Sequence, residues 1–106
     1  MKNNYKLPWH VRSYVKQELL DYKSNRKLLN KCKGSTRALI LAEKRLYQID
    51  KVLESLNVED KEVAELIFFD KYTQAGAEVA KNVTKAMYYY TMNKVIYLVA
   101  KEMDLI

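Results

Sequence analysis

The clearest helical pattern in the chain lies in residues 35–56, STRALILAEKRLYQIDKVLESL. Its apolar residues recur at alternating steps of three and four: Leu39, Ala42, Leu46, Ile49, Leu53 and Leu56. This heptad spacing is typical of a helix that buries a narrow stripe against a partner helix. Two partners fit: the preceding helix, folded back as an antiparallel hairpin, or a second copy of the protein. A homodimer of this kind would form through Leu39, Leu46, Ile49 and Leu53.

The segment before this helix predicts a first helix from near Pro8 to about Asn30. Proline is tolerated in a first helical turn because its missing N–H would have no partner there. The apolar residues that define the buried face are Val11, Val15, Leu19, Tyr22 and Leu29. The opposite face is cationic, since residues 1–34 carry nine Lys and Arg against two acids, a net charge of +7. Gly34 is expected to end this helix, and Ser35 or Thr36 to cap the next one.

Residues 57–106 predict three further helices. Asn57, with Asp60 three residues later, is typical of a helix start, and this third helix is expected to end near Asp70-Lys71. Its apolar side consists of Val63, Leu66, Ile67 and Phe69. Thr73 is expected to cap a short fourth helix to about Lys81, followed by a tight turn at Asn82-Val83 and a long final helix capped by Thr84. The buried stripe of the final helix is Tyr88, Met92, Val95, Ile96, Val99 and Met103.

The sequence therefore predicts an all-α fold of about five helices. Residues 1–56 form a basic N-terminal helical hairpin, and residues 57–106 form a three-helix helix-turn-helix unit, the two expected to make one compact body. An all-β fold is excluded because two glycines and one proline supply too few turns.

Composition limits the function. The 106 residues carry a formal net charge of +6, which favours a polyanionic partner. The single cysteine, Cys32, excludes an intramolecular disulfide, and the single histidine, His10, makes a metal or acid-base site improbable. Too few glycines are present for a phosphate-binding loop. We expect a protein that is not an enzyme and uses no cofactor. It has no apolar run long enough to cross a membrane and no apolar signal core, so we expect a cytoplasmic protein.

The last fifty residues resemble a sigma-factor region-four domain. Residues 60–73, DKEVAELIFFDKYT, have its acidic-basic start, its Val and Leu core positions, its aromatic pair and its Ser/Thr cap. Thr84 stands at the second cap of that family. The whole chain is similar to the RinA and ArpU-like transcriptional regulators of phages of Gram-positive bacteria. Residues 14–22 resemble their first helix, residues 35–56 their second, and Asn82-Val83-Thr84-Lys85 with Tyr89 their turn and recognition helix.

This resemblance implies sequence-specific binding to double-stranded DNA and regulation of phage or prophage late genes in a bacterial host cell. The fourth helix departs from the family, because Glu78 and Lys81 stand at positions that are usually apolar. Either Val79 and Ala80 turn into the core instead, or this helix is short and loosely packed.

A final helix in the major groove would present its outward residues to base edges: Lys85, Ala86, Tyr89, Tyr90, Asn93 and Lys94. The helix starts at Thr73 and Thr84 would hold phosphates. A second set of phosphate contacts is expected on the first helix, at Lys23, Arg26, Lys27 and Lys31. The alternatives are that Tyr89 and Tyr90 pack against the N-terminal hairpin or a partner subunit and that the lysines are merely solvated.

Two other functions remain open. The tyrosine-rich, arginine-poor final helix also suits a helical interaction module that binds host RNA polymerase or another regulator without touching DNA. A weaker alternative is a nucleic-acid packaging component such as a small terminase subunit, which should assemble into rings. At the N-terminus, Tyr5 and Trp9 are expected to form an aromatic lid over the core, or else a patch that docks a partner.

Overall fold

The computed structural model describes residues 5–31 and 37–106, and these fold into six α-helices and one π-helical segment. The elements are α1 (Trp9–Leu20), α2 (Tyr22–Lys31), α3 (Arg37–Ser55), α4 (Val58–Ala64), the π-helical segment (Glu65–Phe69), α5 (Gln74–Lys81) and α6 (Lys85–Glu102). No strand occurs in this part of the chain, so the all-α prediction is confirmed. None of these helices is long and apolar enough to cross a membrane. The predicted break at residues 33–36 and Cys32 lie outside the described residues.

The predicted first helix is two helices. Asp21 leaves the helical conformation (φ −86°, ψ 1°), and its N–H bonds back to the carbonyls of Gln17 and Leu19. The Asp21 side chain accepts a hydrogen bond from the Gln17 side chain at 3.0 Å, a contact between residues four positions apart that supports the last turn of α1. The apolar spacing carries on across the break, so the sequence pattern alone did not reveal it.

α3 packs against α2 and α6 of the same chain. Leu46, Ile49 and Leu53 are buried in this monomer, and Leu39 is half-buried. The dimer interface is therefore wrong as predicted, because the monomer itself buries three of its four residues, Leu46, Ile49 and Leu53. The intramolecular alternative is the one the structure adopts.

The π-helical segment changes which aromatic residue enters the core. A π turn closes with a hydrogen bond from residue i+5 to residue i, here from the Asp70 N–H to the Glu65 carbonyl at 2.9 Å. The wider turn shifts the phase of the side chains, and Phe68 becomes the largest fully buried side chain of the chain's described part. The predicted core residue Phe69 is instead half-buried and stacks on the ring of Tyr22 at 4.5 Å.

α6 lies at the centre of the fold, with α1, α3, α4 and α5 packed around it. Residues on both sides of position 57 contribute to one continuous core, among them Val15 and Leu19 from α1 and Val95 and Val99 from α6. By contrast, α2 has no buried residue, and no residue of α3 before Leu46 is buried. These parts of α2 and α3 form a peripheral arm of an elongated molecule measuring 44 × 30 × 23 Å.

Candidate nucleic-acid interface

The helix starts of the C-terminal half are capped as predicted. The side-chain oxygen of Thr73 accepts a hydrogen bond from the Gly76 N–H, and that of Thr84 accepts one from the Met87 N–H, both at 3.1 Å. The Asn57 side chain likewise accepts from the Asp60 N–H at 2.7 Å. Caps of this kind satisfy backbone donors that have no partner inside the helix. They fix where α4, α5 and α6 begin.

The turn between α5 and α6 is three residues long. Asn82 adopts the left-handed conformation (φ 60°), which asparagine tolerates better than most residues. The Val83 N–H then donates to the Ala77 carbonyl at 3.2 Å, and the Val83 side chain is buried. α5 itself is short and buries only Ala77, while Val79 is 89% exposed. The idea that Val79 and Ala80 turn into the core is therefore wrong, because both side chains are exposed.

The inward face of α6 is confirmed in full. The six predicted residues are all buried: Tyr88, Met92, Val95, Ile96, Val99 and Met103. The Tyr88 hydroxyl donates to the backbone carbonyl of Tyr72, just before α5, at 2.7 Å. Burial raises the pKa of the Tyr88 phenol, so it remains a neutral donor. This bond ties the first turn of α6 to the start of α5.

The outward face of α6 is open at its N-terminal end. Lys85 and Ala86 are exposed, and Tyr89 is 43% exposed. The Tyr89 ring meets the ring of Tyr88 edge-on, with 5.2 Å between centroids. Because Tyr88 is fixed by its own hydrogen bond, this contact restricts where the Tyr89 side chain can point. These three residues are adjacent on one helix face, at the end that the fold leaves free.

Further along α6 the outward face is covered by other parts of the chain. The Asn93 side-chain oxygen accepts a hydrogen bond from the Arg12 guanidinium of α1 at 2.9 Å. The Lys94 ammonium pairs with the Asp60 carboxylate of α4 at 2.8 Å, and this hydrogen bond raises the pKa of Lys94. Both groups already have partners within the monomer, so contact with DNA would require them to give up these bonds.

Tyr90 is also half-buried, against the ring of Tyr5 at 5.8 Å between centroids. Tyr5 packs on Tyr97 as well, at 5.3 Å, so it forms the predicted aromatic lid over α6. Trp9 does not belong to the lid and is 80% exposed. Tyr90 therefore follows the alternative interpretation, in which it packs against the N-terminal part of the chain.

The predicted phosphate contacts on α2 divide into two kinds. Arg26 donates to the Asp50 carboxylate at 2.6 Å and to the Tyr22 hydroxyl at 2.7 Å. The hydrogen bond with Tyr22 contributes most to raising the pKa of Arg26, and the bond with Asp50 comes second. Both bonds hold the Arg26 side chain against α3. The Tyr22 hydroxyl in turn donates to Asp50, and burial followed by this bond raises the pKa of Tyr22.

The three lysines of this set are exposed on α2: Lys23, Lys27 and Lys31. Successive steps of four residues place them in one row along the helix, here called the α2 lysine row. Lys23 lies 3.7 Å from the Asp70 carboxylate, with both side chains more than half exposed. An exposed pair of this kind contributes little, so Lys23 can exchange this partner for another anion.

Charge is distributed unevenly over the C-terminal half. Residues 57–106 carry six Lys against eight acids, a net charge of −2. Glu62, Glu65 and Asp70 line an open cleft of about 320 Å³ beside α4, with Lys81 on its wall. Within residues 5–31 and 37–106, Lys85 has no ion pair. A polyanion would be repelled from the acidic cleft and attracted to Lys85 and the α2 lysine row.

Among the described residues, no group of three or more His, Cys, Asp or Glu side chains is placed to hold a metal ion. No protein-family model, no curated protein and no solved structure matches this chain. The function of this site is therefore inferred from the geometry of its own residues. Arg12 and Asp60 were not identified from the sequence as residues that cover α6, because no local pattern links them to this helix.

Proposed function

We propose that this protein is a DNA-binding transcriptional regulator whose helix α6 enters the major groove of double-stranded DNA. The observation that carries the proposal is the N-terminal end of α6. It is capped by Thr84, anchored through Tyr88 and open at Lys85, Ala86 and Tyr89. A capped and anchored helix end that leaves side chains free is what a recognition helix requires, because its first turns contact base edges.

The α2 lysine row supplies the second part of the proposal. Phosphate contacts give affinity without reading sequence, and Lys23, Lys27 and Lys31 are cations that the core does not need. Arg26 is left out of this role because Asp50 already neutralises it. The resemblance to phage regulators adds the expectation that the genes controlled are phage or prophage late genes.

The proposal is tested by measuring binding to a random-sequence duplex pool at several salt concentrations. We expect binding that weakens steeply with salt. Lys85→Ala should lower the affinity, whereas Lys101→Ala should leave it unchanged, because Lys101 is exposed near the opposite end of α6. Circular dichroism should report the same helix content for both variants. Absence of binding to any duplex at about 50 mM salt would overturn the proposal.

A second candidate function is supported by the covered face and the negative charge of residues 57–106. Since Asn93 and Lys94 are held inside the monomer, the protein would act as an interaction module on RNA polymerase or another regulator. The two functions are separated by sedimentation with purified host RNA polymerase in the absence of DNA. Co-sedimentation without any duplex binding would favour this second function.

A further inference from the structure

We propose that the open end of α6 recognises the C5-methyl groups of thymine, so that the protein prefers duplexes that present thymine in the major groove. This inference rests on the proposed function and narrows it to a class of DNA sequence. The inference depends on which side chains of α6 are exposed and which have partners within the monomer.

Asn93 and Lys94 have partners within the monomer, and their side chains are of the kind that reads the hydrogen-bonding edges of bases. An asparagine side chain pairs with adenine through both its oxygen and its amide, and a lysine donates to guanine. On α6, the Asn93 oxygen accepts from Arg12 and the Lys94 ammonium pairs with Asp60. Using either group to read a base would break a bond that links α6 to α1 or α4.

The residues that stay free offer mainly apolar surface. Ala86 presents a methyl group and Tyr89 an aromatic ring, three residues apart and therefore neighbours on the helix. Apolar contacts of this kind suit the thymine methyl, the one apolar group that a standard base pair presents in the major groove. Lys85 adds a flexible ammonium that contacts phosphate or an acceptor base edge with little discrimination.

The Tyr89 ring is also held in place. Its edge-on contact with Tyr88 limits its movement, and Tyr88 is fixed by its bond to the Tyr72 carbonyl. A side chain that is already ordered loses less entropy on binding, so its contact contributes more to discrimination.

Two alternating copolymer duplexes test the inference, poly(dA-dT) and poly(dA-dU). They have the same charge and the same hydrogen-bonding edges, and they differ only in the C5-methyl group. The wild-type protein should bind poly(dA-dU) more weakly. Burying one methyl group is worth about 0.8 kcal/mol, which corresponds to about a fourfold loss for each methyl group contacted.

Variants assign the preference to the proposed residues. Tyr89→Ser should lower the affinity ratio of the two polymers to the part that the Ala86 methyl group contributes. Lys85→Ala should weaken binding to both polymers and keep the ratio, while the control Tyr47→Ser, at an exposed position on α3, should change neither. Helix content by circular dichroism verifies that each variant is folded.

The possible outcomes distinguish a failure of thymine recognition from a failure of the proposed DNA-binding function. Equal wild-type affinity for the two polymers, a ratio unchanged by Tyr89→Ser, or binding to the random-sequence pool but to neither polymer would overturn thymine recognition and leave DNA binding intact. Absence of binding to both polymers and to the random-sequence pool at about 50 mM salt would overturn the DNA-binding proposal and this inference with it.

Discussion

The N-terminal end of the chain carries most of the positive charge, and the C-terminal half supplies most of the core. Residues 1–34 carry a net charge of +7, and their second helix, α2, has no buried residue. Residues 57–106 carry a net charge of −2 and supply most of the core, with α6 at its centre. This contrast indicates that one helix can supply affinity for a polyanion while another positions the side chains that recognise it. Three experiments test this division, in order of decreasing effect on stability.

The strongest test compares one aromatic side chain of the C-terminal half with one leucine of the arm. Phe68→Ala removes a fully buried ring and should lower the free energy of unfolding by about 3–5 kcal/mol. Leu28→Ala, on the exposed side of α2, should cost no more than about 0.5 kcal/mol. Urea denaturation followed by circular dichroism measures both. Similar losses for the two variants would mean that the arm is part of the cooperative core.

An intermediate effect is expected where α6 is bonded to the segment just before α5. Tyr88→Phe keeps the buried ring and removes the hydroxyl that bonds the Tyr72 carbonyl. Leaving that acceptor without a partner should cost about 1–2 kcal/mol in the free energy of unfolding. Tyr89→Phe is the matched control, since its ring is partly exposed, and it should be neutral. A neutral Tyr88→Phe would show that the bond does not hold α6 in place.

The smallest effect on stability is expected for the α2 lysine row. Replacing Lys27 and Lys31 together by alanine removes two exposed cations and should change the free energy of unfolding by less than about 0.5 kcal/mol. The plot of log affinity for duplex DNA against log salt should lose about 0.9 in slope for each phosphate contact removed. An unchanged slope would place the phosphate contacts elsewhere on the protein.

The sequence predicted the C-terminal half well because its signals are local. The caps at Asn57, Thr73 and Thr84 and the apolar stripe of α6 depend on residues three or four positions apart. Helix ends and buried faces follow from such spacings without knowledge of the rest of the chain. This is why the turn at Asn82 and the bounds of α5 were predicted closely.

The remaining features depend on partners far away in the sequence or on a change of helical phase. Arg12 and Asn93 are 81 positions apart, so no spacing rule could connect them. The π-helical segment adds a residue to one turn, which exchanged the roles of Phe68 and Phe69. The break at Asp21 was hidden because the apolar spacing continues through it. The partners of Asn93 and Lys94 inside the monomer were missed because they lie far away in the sequence.

The absence of buried residues in α2 has a consequence for how such a protein could evolve. Substitutions at the exposed positions of a helix without a buried residue are rarely eliminated for loss of stability. The number and position of positive charges on this helix are therefore free to drift under selection for binding alone. The affinity for a polyanion could therefore change between related proteins while the turn at Asn82 and helix α6 are conserved.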